Sequence, residues 1–216
     1  DAIAYYDKPL WTFDRLLSSY LSVAPRNLQS WLTSMPRWLA GKLFIPSLIR
    51  RSLHYEGKIF TTPHHVAHAA SAYFPSPYSN AAVLTMDAVG EWATSSLGYG
   101  KGAELTLLKQ MRFPHSLGML YSAFTYFCGF KVNSGEYKLM GLAPYGEPAY
   151  VSAIRDHLVE IKDDGSIRLN LDYFDYCHGL TMTGRAFELL FGGPARKPES
   201  PITKREMDLA RSIQEV

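Results

Sequence analysis

The sequence predicts an α/β fold in which a mixed sheet is flanked by helices. Residues 80–113 read as three strands joined by tight turns, because a near-continuous apolar run is followed by two further strand-like runs with glycine between them. On either side, HHVAHAASAYF and HSLGMLYSAFTYFCGF space their apolar residues as helices do.

In chain order, residues 10–53 come first. They are rich in Leu and Trp and broken by Pro25, Pro36 and Pro46, which predicts two or three short helices punctuated by proline, each with an apolar face. Arg37, Arg50 and Arg51 leave two readings open for this stretch: a basic amphipathic surface for a membrane or partner, or a helical excursion packed on the main domain. A short strand is expected at 58–62, and Pro63 fits the first turn of the helix that follows. Strands at 81–86 and 95–99 flank a turn at 87–90, and LTLLKQMRF supplies a third strand. The next helix carries Leu117, Leu120, Phe124 and Phe127 on one face, with Ser116 at its start. KVNSGEYKLMGLAPYGEP, with Gly135, Gly141 and Gly146, reads as a loop. A helix at 149–158, a hairpin turning at Asp164 and Gly165, and a closing helix over KREMDLARSIQEV complete the pattern. The expected organisation is a helical excursion at 1–56 and a core at 57–216. The chain opens DAIAYYD without an initiator Met and closes inside a helical pattern, so it reads as an excerpt whose core is incomplete at both ends.

Composition narrows the function classes. The 216 residues are 47% apolar and 13% aromatic, enough to bury a core, so a disordered class is excluded. With 22 basic against 20 acidic residues, the net charge of +2 provides no broad field for a phosphate backbone, and nucleic acid is not an expected partner. Cys128 and Cys177 form no CxxC pair and are too few for a disulfide scaffold, which points to a reduced, cytoplasmic protein. Cys128, in an aromatic stretch without a neighbouring base, reads as a buried small side chain rather than a nucleophile. No apolar run reaches the roughly 18 residues that span a bilayer, so no membrane is expected.

The chemistry concentrates in one histidine cluster. His64 and His68 are four apart, which places their rings on one helical face a turn apart, as needed to grip one metal. No Glu stands between them in the HExxH manner, so the water-activating carboxylate of that protease class is missing. Asp87 follows the apolar strand at its end, where open α/β sheets place ligands. Two readings stand side by side here. Either His64, His68 and Asp87 meet at one metal, or two core histidines happen to share a spacing and Asp87 caps a turn. Imidazoles with a carboxylate favour Fe(II), with Mn, Zn or Mg as alternatives. His65 points about 100° away around the helix, which suits a substrate contact or support of the ligands.

The sequence also resembles a known family. YYDKPLWTFDRLL, HHVAHAASAYFPSPY, VLTMDAVGEWATSS, FPHSLGMLYSAFTYFCGF and GEYKLMGLAPYG occur in the order and spacing of the O-carbamoyltransferases of antibiotic biosynthesis and nodulation. Their amino-terminal part is similar to the tRNA threonylcarbamoyl transferase. The resemblance covers essentially the whole chain. It implies a partial actin-like, Hsp70-like ATPase fold of the ribonuclease H-like type. It also implies metal ligation by His64, His68 and Asp87, ATP and carbamoyl adenylate as cofactors, and a small hydroxyl-bearing acceptor. A further ligand Asp and the carboxy-terminal domain that makes carbamoyl adenylate are implied beyond this chain, so the excerpt alone is expected to be inactive.

Within that frame Lys138 is expected to supply positive charge and Glu136 to hold a substrate amine or hydroxyl, with an ordinary solvated loop pair as the other reading. Gly135, Gly141 and Gly146 are expected to let the backbone approach the nucleotide. Thr94 is a candidate phosphate contact, and strand polarity explains it equally well. Two alternatives to the carbamoyltransferase remain: a tRNA threonylcarbamoyl transferase-like enzyme, against which the low charge argues, and a noncatalytic nucleotide-binding module.

Overall fold

The computed structural model describes residues 1–216, and the chain divides into two compact units, 1–113 and 114–216. Helices and strands alternate as the α/β expectation requires, but the strands form three separate ladders rather than one mixed sheet.

In the first unit, β1 (Ala2–Tyr5) runs parallel to β2 (Lys58–Thr61), with Ala2 opposite Lys58 and Tyr5 opposite Thr61. Parallel strands need a crossover. Here it is the helical excursion α1 (Pro9–Val23), α2 (Leu28–Ala40) and α3 (Ile45–Leu53). The chain returns to β2 just after the expected boundary at 56/57, but the compact units divide elsewhere: the excursion and residues 57–113 form one unit, and the expected core 57–216 is split at 113/114. Pro46 sits at the start of α3 as expected, but Pro36 lies inside α2 and does not end it. Met35 is buried beside it, and Trp31 meets Tyr20 of α1 edge-on at 4.9 Å, packing that offsets the hydrogen bond the proline cannot make.

After β2 the chain enters α4 (His64–Tyr73) and then an antiparallel meander, β3 (Asn80–Met86), β4 (Ala93–Lys101) and β5 (Glu104–Arg112), with β4 in the middle. Helix α4 packs on this meander through Ala69 and Tyr73 against Val83. The Tyr73 hydroxyl donates to the Ser79 carbonyl at 2.9 Å, so a core aromatic also ties the helix to the strand start. Trp92 Nε1 donates to Asp14 of α1 at 3.0 Å, which holds the excursion to the turn before β4.

The second unit is built around an aromatic core. Helix α5 (Leu117–Phe127) starts at Ser116, whose hydroxyl accepts the Met119 N–H at 3.0 Å. It buries Phe124 and Phe127 against Phe187 at ring separations of 5.2 and 4.9 Å. Each fully buried Phe contributes about 1.5–3 kcal/mol. Cys128 is buried and its thiol pushed up to about 12 by burial, which fits a packing role.

The stretch expected as a loop forms α6 (Glu136–Leu142), because Leu139 and Leu142 bury on the core and Glu136 satisfies the donors at the helix start. Helix α7 (Val151–His157) and the hairpin β6 (Val159–Ile161) and β7 (Ile167–Leu169) follow as predicted. Helix α8 (Arg185–Leu190) supplies Phe187 to the core. Helix α9 (Lys204–Glu215) ends the unit, begun by a capping box between Thr203 and Glu206.

Candidate metal centre

Helix α4 starts three residues beyond β2, so His64 occupies its first turn and His68 lies one turn later. First-turn N–H groups have no partner inside a helix. The N–H of His64 is taken by Glu91, whose Oε1 accepts it at 2.9 Å and also accepts the Lys8 N–H at 3.0 Å. Glu91 is only 4% exposed, and burial pushes its carboxyl up. One buried carboxylate thus fixes the starts of both α1 and α4.

Asp87 follows β3 directly. Its N–H donates to the Thr94 carbonyl at 2.9 Å and its Oδ1 accepts the Ala88 N–H at 2.6 Å, leaving Oδ2 directed at the histidines. The His64 Nε2 lies 2.8 Å and the His68 Nε2 3.4 Å from that oxygen, and the two nitrogens are 3.0 Å apart. The three donors converge on one point. Separations of this size are what neighbouring ligands of one cation show when each bond is about 2.0–2.2 Å, so the residues fit a divalent metal. The hydrogen bond from His64 holds the Asp87 carboxyl well below the usual carboxylate range. The same bond raises His64. Side-chain exposures of 19%, 49% and 29% for His64, His68 and Asp87 leave the cluster open to a ligand from solvent.

His65 faces the sheet. It is 2% exposed, and its Nδ1 lies 2.9 Å from both the Thr85 and Ser96 hydroxyls, residues paired across β3 and β4. Burial lowers it, which favours the neutral ring. His65 therefore locks the rotation of α4 on the sheet, and a direct substrate contact does not follow from its position. Thr94 is fully buried in β4 and offers no exposed hydroxyl to a phosphate. Its carbonyl positions Asp87 instead.

The remaining sequence candidates lie in the second unit. Glu136 accepts from Ser122 Oγ at 3.0 Å, from the Asn133 N–H at 2.9 Å and from the Gly135 N–H at 3.1 Å, so its oxygens are used in starting α6 rather than free to hold a substrate. Lys138 is exposed on the same helix. A Cβ at Gly135 would lie 2.7 Å from the Lys131 carbonyl oxygen, and one at Gly146 only 2.0 Å from the Met207 carbonyl oxygen. Close approach of the protein's own backbone accounts for both. Gly141 lies on an open helix surface with nothing near it.

Sequence reasoning passed over Glu91, Asp7 and Arg15. A signal for Glu91 exists: it is the lone acid in the apolar stretch AVGEWA, and a buried acid needs partners.

Two imidazoles and one carboxylate at a strand end define a candidate metal-binding α/β protein. The model of the carbamoyltransferase N-terminus matches residues 1–216, and the chain belongs to that carbamoyltransferase family. Among relatives, an uncharacterised protein of Synechocystis, sll1178, is 57% identical over the whole chain, which covers 36% of that protein. The nodulation protein NolNO of Sinorhizobium fredii is 33% identical over the whole chain, which covers 29% of it. The nodulation protein NolO of Bradyrhizobium diazoefficiens is 30% identical over 70% of the chain and 26% of its own length. The chain therefore spans about a third of these relatives. No helix is long and apolar enough to cross a membrane.

Proposed function

We propose that the chain is the amino-terminal part of a cytoplasmic, ATP- and metal-dependent O-carbamoyltransferase, built on an actin-like fold, that moves a carbamoyl group from carbamoyl adenylate to a hydroxyl of a small sugar-like or antibiotic acceptor. The observation that carries this reading is the convergence of His64, His68 and Asp87 in a chain of the carbamoyltransferase family. In the transfer the acceptor oxygen bonds to the carbamoyl carbon, the bond to the adenylate oxygen breaks, AMP leaves and the hydroxyl proton is released.

The chain's own residues prepare that step. His64, His68 and Asp87 hold the cation, and two histidines with a carboxylate favour Fe(II). A bound divalent ion supplies Lewis-acid stabilisation of charge on phosphate or carbamoyl oxygen. Glu91 fixes the first turn of α4, while His65 fixes the helix on β3 and β4, so the ligand geometry is set before anything binds. The carbamoyl adenylate is made by a carboxy-terminal domain of the same parent chain, in keeping with the greater length of the relatives.

The test uses the full-length parent with carbamoyl phosphate, ATP, Fe(II) and a panel of aminoglycoside and sugar acceptors, with products followed by mass spectrometry. A product heavier by one carbamoyl group, absent in His68→Ala, is expected. A folded, metal-loaded parent that turns over ATP and carbamoyl phosphate but modifies no acceptor sinks the reading.

A further inference from the structure

A cavity of about 290 Å³ opens beside His64, within the first unit. Its walls come from Tyr5 and Tyr6 at the end of β1, from Thr12 and Arg15 of α1, and from Trp38 and Lys42 late in the excursion. Two cations therefore face one space.

Arg15 is the unusual one. Its Nε is buried and has no hydrogen-bond partner, and the guanidinium rests 5.1 Å from the centre of the Phe113 ring. Asp7 and Glu91 act on it through charge and not through a hydrogen bond. Burying that Nε–H unused costs free energy that a native site recovers by binding an acceptor, and the guanidinium has further donors to offer the same ligand. Lys42 places its ammonium over the Trp38 ring at 5.3 Å. The carboxylate on the cavity wall, Asp7, is already engaged: its Oδ1 accepts the Lys8 N–H at 2.8 Å and the Thr12 hydroxyl at 3.1 Å. The wall thus holds an excess of positive charge and of unused donors. Arginine forks are suited to planar carboxylates and to phosphates.

We propose that this cavity binds an oxyanion, a phosphate or carboxylate group, through Arg15 and Lys42 beside His64. The site stands on the cavity and the unpaired Arg15 Nε on its wall; it rests on the proposed carbamoyl transfer only in making the oxyanion part of a substrate. Two sources share this chemistry: a phosphoryl group of the carbamoyl donor, and an acidic group on the hydroxyl acceptor.

The experiment titrates inorganic phosphate into the metal-loaded full-length parent by calorimetry. Saturable binding of one phosphate is expected, weakened about tenfold in Lys42→Met by loss of one charged contact and abolished in Arg15→Met. Lys42 is exposed, so its variant reports even where Arg15→Met fails to fold. His68 does not line the cavity, and His68→Ala is expected to lose metal yet still bind phosphate through Arg15 and Lys42, more weakly for want of the neighbouring cation. Saturating nonhydrolysable ATP analogue then separates the sources: displaced phosphate marks the donor's phosphoryl site, and phosphate retained beside the nucleotide marks the acceptor's acidic group. A parent that holds its metal but takes up neither phosphate nor acetate overturns the proposal. So does phosphate affinity lost in His68→Ala but unchanged in Lys42→Met. A parent that binds phosphate but no metal overturns the proposed function and leaves the oxyanion site standing.

Discussion

Glu91 accepts the backbone N–H of His64 at 2.9 Å across 27 residues of sequence. The first metal-ligand candidate is therefore held at its main chain by a residue from the turn that follows Asp87. Removing that acceptor leaves the half-buried His64 N–H unsatisfied, whereas the Lys8 N–H keeps Asp7 Oδ1 at 2.8 Å. Glu91→Ala is expected to lower stability by about 1–3 kcal/mol and to weaken metal retention. Glu91→Gln keeps an Oε1, the one oxygen that reaches both N–H groups, and is expected to stay close to the parent. Thermal unfolding and metal content of the full-length variants check this. Equal behaviour of the two substitutions contradicts it.

His65 and His68 are neighbours in one helix with opposite roles, so their alanine variants should separate. His68 is half exposed and shares its nitrogen with the ligand cluster, whereas His65 is buried under Thr85 and Ser96. His68→Ala is expected to reduce bound metal at least about tenfold with little change in unfolding temperature, the loss that follows removal of a ligand. His65→Ala strands two buried hydroxyls and is expected to cost about 1–3 kcal/mol in stability. Metal analysis beside denaturant unfolding gives both readouts. A stability loss in His68→Ala as large as that in His65→Ala counts against the division.

What the sequence made legible was local. The four-residue spacing of His64 and His68 is a property of one helix, and Asp87 stands at the end of an apolar strand seven residues long. What it hid depends on partners far along the chain. Strand β1 exists because Ala2 pairs with Lys58, a relation no window around Ala2 contains. Helix α6 was hidden by Gly141 within it and by the glycines and prolines that flank it, and its start depends on Ser122 and Glu136 meeting across 14 residues. The hydrogen bonds of Glu136 were hidden for the same reason. A charged residue in a glycine-rich stretch looks free until its hydrogen bonds are known.

The glycines of that stretch should respond differently to an added methyl group. At Gly146 the new Cβ would meet the Met207 backbone at 2.0 Å, and neither the 3₁₀ turn at Ala143–Tyr145 nor α9 can retreat without opening the core. Gly146→Ala is expected to destabilise by about 1–3 kcal/mol or more. Gly141 lies within α6 with nothing near it, so Gly141→Ala is expected to stabilise by about 0.5–1 kcal/mol. Denaturant unfolding measures both. Unchanged transfer activity in Gly141→Ala would also show that this backbone position makes no close contact with nucleotide, whereas a selective rise in KM for ATP would restore the sequence reading.

Acid stability of the second unit should depend on the capping box at α9. Glu206 is 2% exposed; burial pushes its carboxyl up, but hydrogen bonds from Thr203 and Arg205 outweigh that and leave it below the usual glutamate range. Asp208 is lowered in the same way against burial, by the Glu147 N–H at 2.7 Å and Lys204 Nζ at 3.0 Å. A carboxyl lowered in the folded state binds protons more weakly there than in the unfolded chain. Its contribution is therefore fully present above the ordinary carboxyl range, near pH 4–5, and is lost as pH falls through that range to the lower folded values. Glu206→Gln removes the charge while keeping an acceptor for Thr203. It is expected to cost about 1 kcal/mol at pH 7, with the difference from the parent shrinking as the pH is lowered below about 4. Urea unfolding of parent and variant from pH 7 down to pH 3 measures this. A gap that stays constant over that range, or widens toward acid, contradicts the assignment of the lowered carboxyl to Glu206.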